Sequence, residues 1–283
     1  MHALQKYFEE AEHENAFPMV SEMFEASKAA GISSTEAAKL ELANSLAMLS
    51  SGAITAFWLL FHIVSDPSIL RSVRVELQNL VVRKTDSVNT GNSCVKLVDL
   101  SVLEAKCPVL TAVWHESLRY HSAVTNIKSV THDTHLAGSY LLKRGATIMI
   151  PGRAFHHSPA IWGPDAHVFS PERFLPSSPS FSRENLKRLK TTSAFRPFGA
   201  GASMCPGRHF SSNVVLGLVA MMVLGFEIEC AEGRWREPES WGADMWNSMP
   251  KPDRDVLVLV RRREEETEWR FVWGDEGNKT EEY

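Results

Sequence analysis

Cysteine is scarce in this chain, with four among 283 residues. Cys94, Cys107, Cys205 and Cys230 have no framework spacing. That excludes a disulfide scaffold and fits a reducing compartment. An excess of charge is missing too. The net charge of −4 leaves no basic surface for nucleic acid. Met1 to Asn15 is charged and polar, so it does not read as a secretory leader. Internal repeats are absent. Leu46 to Val64 carries no formal charge and is long enough to be weighed as a membrane span. Ser50, Ser51, Gly52, Thr55 and His62 interrupt it, and no basic cluster marks either end. It reads as a buried central helix, and no membrane span is expected in this chain.

What is present is ordinary in bulk: 44% hydrophobic and 23% charged residues, as in a globular protein able to bury a large core in one or two domains. Leu4 to Ala30 reads as helical. Ser33-Ser34-Thr35-Glu36 is a capping box. It opens a long helix with Leu42, Leu46, Leu49, Ala53, Phe57, Leu60 and Val64 at helical spacing. Asp66-Pro67 ends it and starts the next, to about Arg83. A polar loop, Lys84 to Ser93, follows. Pro108 starts a short helix to Tyr120. Short strands are expected near Ile127–Val130, Thr147–Ile150, Phe226–Ile228 and Val256–Val260, an ordered loop over Pro151–Pro179, and an apolar helix over Phe210–Leu224. The charged tail from Arg261 is expected to fray.

The densest signal is Phe198-Gly199-Ala200-Gly201-Ala202-Ser203-Met204-Cys205-Pro206-Gly207. Glycines around one thiol let backbone approach a flat ligand closely. A thiolate before a helix is stabilised by the helix dipole and free N–H groups. A lone soft anionic ligand of this kind suits axial ligation of haem iron. On the loop alone, other readings stay open. Cys205 could be a buried structural cysteine. It could be a zinc ligand with His209, although two ligands are too few. It could be a catalytic thiol lacking an identified base.

Phe-x-x-Gly-x-x-x-Cys-x-Gly resembles the haem-binding signature of the cytochrome P-450 family. Glu116-Ser117-Leu118-Arg119 resembles its Glu-x-x-Arg helix, and Pro171-Glu172-Arg173-Phe174 the segment before its haem loop. Lys143 to Phe174 and Met249-Pro250-Lys251-Pro252 with Asp255 to Val258 match in order. The resemblance spans residues 33–263, with 264–283 as a charged tail. It implies that residues 1–283 are the C-terminal haem-binding portion, mainly α with small antiparallel β-sheets (α+β), in a cytochrome P-450 fold lacking its N-terminal part. Phe57-Trp58-Leu59-Leu60-Phe61 resembles the branch of sterol 7α-hydroxylases, prostacyclin synthase and many fungal enzymes. Family members commonly sit at the endoplasmic reticulum membrane through an N-terminal anchor, which is not found here.

The resemblance implies roles residue by residue. Cys205 is the axial ligand of the haem iron, and Phe198, Gly199, Gly201 and Gly207 shape the haem loop. Lys128 holds the place of a propionate-binding arginine, with a solvated surface lysine as the alternative. Ser203 stands where a cationic propionate anchor is usual. Glu116 and Arg119 can meet on one helix face, and Arg173 completes a network bracing the cysteine loop. His156 and His157 read as packing or surface residues, and His62 and His115 as core or boundary histidines. The family's mid-helix acid–alcohol pair is replaced by Ala47-Met48-Leu49-Ser50-Ser51. Ser51 is either a positioned hydroxyl for oxygen and protons or a mid-helix serine bonded to its own backbone.

Three functions are implied. The first is a haem-thiolate monooxygenase acting on a lipophilic small molecule, in fungal secondary metabolism, with an NADPH-dependent reductase as electron donor. The second is a haem-thiolate isomerase or dehydratase working without reductase. The third is a truncated, non-catalytic relative.

Overall fold

Asp66 and Pro67 decide where the longest helix stops. Asp66 Oδ1 accepts from the backbone N–H groups of Ser68 at 2.8 Å and Ile69 at 3.2 Å, a side-chain cap with proline in the first turn. In the computed structural model, residues 2–85, 94–176, 194–201, 204–240, 248–264 and 268–274 are described. They contain α1 His2–Glu9, α2 Pro18–Ala29, α3 Ser34–Ser65 and α4 Pro67–Gln78. Strands β1 Val82–Thr85 and β2 Cys94–Asp99 follow, then α5 Leu103–Lys106 and α6 Pro108–His121. Next come β3 Thr125–Ser129, β4 Thr134–Leu136, β5 Tyr140–Leu142, β6 Thr147–Pro151, α7 Gly152–His156 and α8 Pro159–Trp162. The chain closes with α9 Arg208–Gly225, β7 Phe226–Cys230, β8 Val258–Arg262 and β9 Glu268–Val272.

The chain divides into two units, Met1–Ala53 and Ile54–Tyr283. The first has a small core of Phe8, Phe24, Ala37 and Ala38, with Phe8 and Phe24 stacked at 4.4 Å. The Leu4–Ala30 stretch, predicted as one helical run, is broken. Ala11 takes a left-handed φ of 58°, a single turn of 3-10 helix spans Glu12–Asn15, and α2 begins at Pro18. Proline has no N–H to donate inside a helix, so the chain must restart there. Ser33 caps α3 by accepting from Glu36 N–H at 3.3 Å, while the Glu36 carboxylate pairs with Lys39.

The second unit holds the main core. Trp58, Leu59 and Ile63 from the end of α3 pack with Leu110, Val113, Trp114 and Leu118 of α6 and Val215, Leu216, Val219 and Val223 of α9. Trp58 is pinned by its indole N–H to Pro250 O at 2.8 Å. Glu76 on α4 caps α6, its carboxylate accepting from Val109 N–H at 2.8 Å and Leu110 N–H at 3.1 Å. Two helices, Ser34–Ser65 and Arg208–Gly225, are long and apolar enough to cross a membrane by length and composition alone.

The sheets are small. β3–β6, β4–β5 and β7–β8 are antiparallel pairs. The three-stranded sheet has the order β1-β2-β9, antiparallel between β1 and β2 and parallel between β2 and β9. The tail predicted to fray from Arg261 supplies part of β8 and all of β9. Trp269 and Phe271 explain this, since both pack against the main core, and the Lys96 ammonium lies 5.1 Å from the Trp269 ring centroid. The helix predicted to reach Arg83 stops at Gln78, and Val82–Thr85 is a strand. Most of the predicted loop at Lys84–Ser93 lies outside the described residues.

Candidate functional site

Helix α6 buries a charged pair at its centre. Glu116 and Arg119 are both fully buried, and each carboxylate oxygen accepts from Arg119, through Nε and Nη2, at 2.7 Å. Removing two charges from water is costly unless every polar atom finds a partner. Here the guanidinium makes five hydrogen bonds, matching its five N–H groups. Beyond the two to Glu116, Nη1 donates to His156 O at 2.6 Å and Ala166 O at 2.7 Å, and Nη2 to Val168 O at 3.1 Å. Ser170 N–H adds a bond of 2.7 Å to Glu116 Oε1. Burial pushes the Glu116 carboxyl above its ordinary range, and Arg119, Ser170 N–H and Arg173 pull it back.

Arg173 joins from the other side. Its Nε lies 3.6 Å from Glu116 Oε1, a charge contact and not a hydrogen bond. Its remaining nitrogens hold Trp162 O at 2.9 Å and the Asp165 carboxylate at 2.6 Å. Arg173 on Asp165 keeps that carboxyl below the usual range. The three residues that the sequence pairs as a network are therefore brought together, and they tie the 155–174 segment to α6.

A second relay leads from this network to the cysteine loop. His156 accepts Arg119 through its backbone oxygen and, through Nε2, accepts from Arg196 N–H at 3.0 Å. Arg196 O then accepts from Gly199 N–H at 3.0 Å, and Phe198 O from Cys205 N–H at 2.9 Å. Desolvation lowers the His156 imidazole to about 3, which keeps Nε2 a bare acceptor. The Arg196 guanidinium also lies 4.6 Å from the Phe155 ring centroid. Neither His156 nor Arg196 is singled out by the sequence as part of the site. A histidine beside Pro159 and Trp162 carries no spacing signal for a contact forty residues away.

The loop is folded by its glycines in different ways. Gly199 and Gly201 have φ of 81° and 68°, which non-glycine residues rarely adopt. Gly207 has an ordinary φ of −79°. A Cβ there would meet Cys205 Sγ at 3.9 Å, and one at Gly201 would meet open space. Cys205 is a free, exposed thiol, which removes the buried structural reading. Among the described residues no third metal ligand joins Cys205 and His209. Arg208 Nη1 caps Cys205 O at 3.2 Å, and α9 starts at Arg208. Exposed Phe210, Val214 and Leu218 form an apolar stripe along α9.

Lys128 lies on β3, half-buried, opposite Ile148 of β6. Ser51 is half-buried in the α3 segment of the first unit. The adjacent Ser50 bonds back to the helix, donating to Leu46 O at 2.7 Å. Ser203 lies outside the described residues. His62 and His156 are buried, and His115 and His157 half-buried.

The family model described as Cytochrome P450 matches residues 21–253. A cytochrome P450 monooxygenase, nodJ, of Hypoxylon pulicicidum is 34% identical over 274 residues, 95% of this chain and 52% of the relative. A cytochrome P450 monooxygenase of Gibberella zeae is 31% identical over 237 residues, covering 80% of this chain and 43% of the relative. A cholesterol 7-alpha-monooxygenase of Cricetulus griseus is 29% identical over 209 residues, covering 72% and 40%. A crystal structure of a cytochrome P450, CYP102L1, superposes with a TM-score of 0.61 at 23% identity, over 82% of this chain and 47% of that one. It shows the fold. The chain thus spans about half the length of the curated relatives it matches.

Proposed function

Because the chain belongs to the cytochrome P450 family, we propose that it is the haem-binding C-terminal portion of a monooxygenase, with Cys205 as the iron ligand. The observation that carries this reading is an exposed thiol on a loop with two left-handed glycines, tied through Arg196 N–H and the His156 imidazole to a buried Glu–Arg network. The donor set suits haem: one soft ligand, open space beside Gly201 and no competing metal ligands among the described neighbours.

When bound through a thiolate, haem supplies dioxygen activation, with the sulfur's electron donation favouring O–O cleavage. The protein's own contribution is positional. Cys205 would supply the sulfur ligand, while Gly199 and Gly201 turn the backbone beside it. Phe198 is packed on the main core and anchors the loop's start. Gly207 keeps the approach to Sγ clear. Glu116, Arg119 and Arg173 hold the segment that carries His156, and so the Arg196–Gly199 turn. Lys128 would place a point charge toward a propionate. By the family resemblance, Ser51 would supply a hydroxyl for oxygen and proton relay.

The substrate is then a lipophilic small molecule, the electron donor an NADPH-dependent reductase, and the setting fungal secondary metabolism. The fungal monooxygenases among the relatives support the activity and a fungal setting, while the substrate class and the electron donor follow from the family resemblance alone. Serine in place of the usual acid–alcohol pair favours a second reading, a haem-thiolate isomerase or dehydratase that needs no reductase.

The test is a carbon-monoxide difference spectrum of the reduced, haem-supplemented protein beside Cys205→Ala. A red-shifted Soret band of the thiolate type, absent in the variant, is the expected result. An unshifted band, or one that survives in Cys205→Ala, overturns the assignment. Turnover of a lipophilic hydroperoxide without reductase would move the function to the second reading.

A further inference from the structure

Three side chains from distant parts of the second unit converge away from the cysteine loop. His62 lies near the end of α3, His121 is the last residue of α6, and Glu237 follows β7. The two imidazole Nε2 atoms are 2.7 Å apart, and with a Glu237 carboxylate oxygen all three ligand atoms lie within 4.8 Å of one another. We propose that His62, His121 and Glu237 bind a divalent first-row cation of the zinc type.

The rings are held for it. His62 stacks on Phe169 at 3.6 Å and 10°, and His121 on Trp58 at 3.8 Å and 15°. With a face of each ring covered, the in-plane nitrogens are the groups left to act, and they point at each other. Trp58 is itself fixed by Pro250 O. The segment bearing Glu237 is clamped nearby. Glu239 N–H donates to Asp253 Oδ1 at 2.8 Å, Asp253 N–H to Glu239 O at 2.9 Å, and Arg254 to Glu237 O at 3.3 Å.

The two buried rings meet through their Nε2 atoms, one of which must carry the proton while the other accepts it. Two imidazoles and one carboxylate, completed by water as fourth ligand, form a donor set that zinc takes readily. Zinc–nitrogen bonds of about 2.0–2.1 Å at a tetrahedral angle need nitrogens roughly 3.3 Å apart. The rings must therefore part by about half an ångström, within reach of small side-chain torsions. Glu237 is exposed, so it supplies both the movable third ligand and the way in from solvent.

The experiment is titration of the full chain with Zn²⁺ by calorimetry and with Co²⁺ by visible absorption. It is run on the wild type, Glu237→Gln, His62→Gln and Cys205→Ser. One equivalent should bind, with a visible band of four- or five-coordinate Co²⁺ and no intense near-ultraviolet thiolate band assignable to that equivalent. Zn²⁺ should raise the melting temperature. Cys205→Ser should retain this binding. Glu237→Gln, a change at an exposed position, should weaken it at least tenfold and abolish the melting shift, and His62→Gln should do the same. Absence of saturable binding, binding undiminished in Glu237→Gln, or binding lost in Cys205→Ser would each overturn the proposal. None of these readouts depends on haem or turnover, so the site stands or falls apart from the function proposed above.

Discussion

The buried carboxylate of Glu116 faces two guanidinium groups, and its removal leaves Arg119 charged and partly unpaired in the core. Breaking a buried pair from one side costs about 3–5 kcal/mol. Glu116→Ala should therefore lower the denaturation midpoint and lose haem on gel filtration, while normal haem occupancy would remove the bracing role. His156 gives a different signature. Its folded pKa is depressed to about 3 from an ordinary 6.5, so its contribution is full above that ordinary value and is lost as pH falls toward the folded one. Stability should drop below pH ~6.5 by up to about 1.4 kcal/mol per pH unit from this group. Protonating Nε2 also ends its bond from Arg196. His156→Gln keeps an acceptor there, so its melting temperature should fall less steeply between pH 7 and 5; an unchanged slope would clear His156. The Glu–Arg pair was legible because i and i+3 share a helix face. His156, Arg196 and the His62–His121–Glu237 group were not, since nothing local in a sequence marks contacts between residues so far apart.

At the scale of elements, the cysteine loop and its helix separate two uses of glycine. Gly199 sits at φ 81°, where an added Cβ costs about 1–2 kcal/mol. Gly199→Ala should lower the melting temperature with or without haem. Gly207 has an ordinary φ, so Gly207→Ala should cost less than about 1 kcal/mol in apo-protein stability yet weaken haem binding, read by haem titration. Equal effects of the two substitutions on the apo protein would contradict this division. The helices α3, α4, α6 and α9 were legible from apolar spacing, Asp66-Pro67 and Pro108. The break before Pro18 was missed although the proline announced it. The strands of β3–β6 and β7–β8 were seen within a few residues, from their apolar positions, while their pairing came only from the structure. Those of β4–β5 and β1–β2 were not, since β1, β4 and β5 are only three or four residues long and β2 follows a polar stretch.

For the whole molecule, the matched family accounts for residues 21–253, yet β9 lies beyond that range and packs Trp269 and Phe271 on the main core. A charged run disguised it, because its strand face is set by two aromatic residues among Glu and Arg. Ending the chain after Glu264 should therefore lower the thermal midpoint by several degrees, roughly 2–4 °C per kcal/mol lost; a midpoint unchanged by that truncation would show β9 to be ornamental. The parallel pairing of β2 with β9 also has a consequence in time. Gly274 N–H reaches Asp99 across 175 residues of chain. At ribosomal speeds of about 5–20 residues per second, β2 waits roughly 10–35 s for its partner to be made. Throughout that interval one edge of the β1–β2 hairpin has no strand beside it. During synthesis, slower translation lengthens the exposure of an open edge to neighbouring nascent chains, so the yield of folded protein should respond to chaperone supply more than its final stability would suggest.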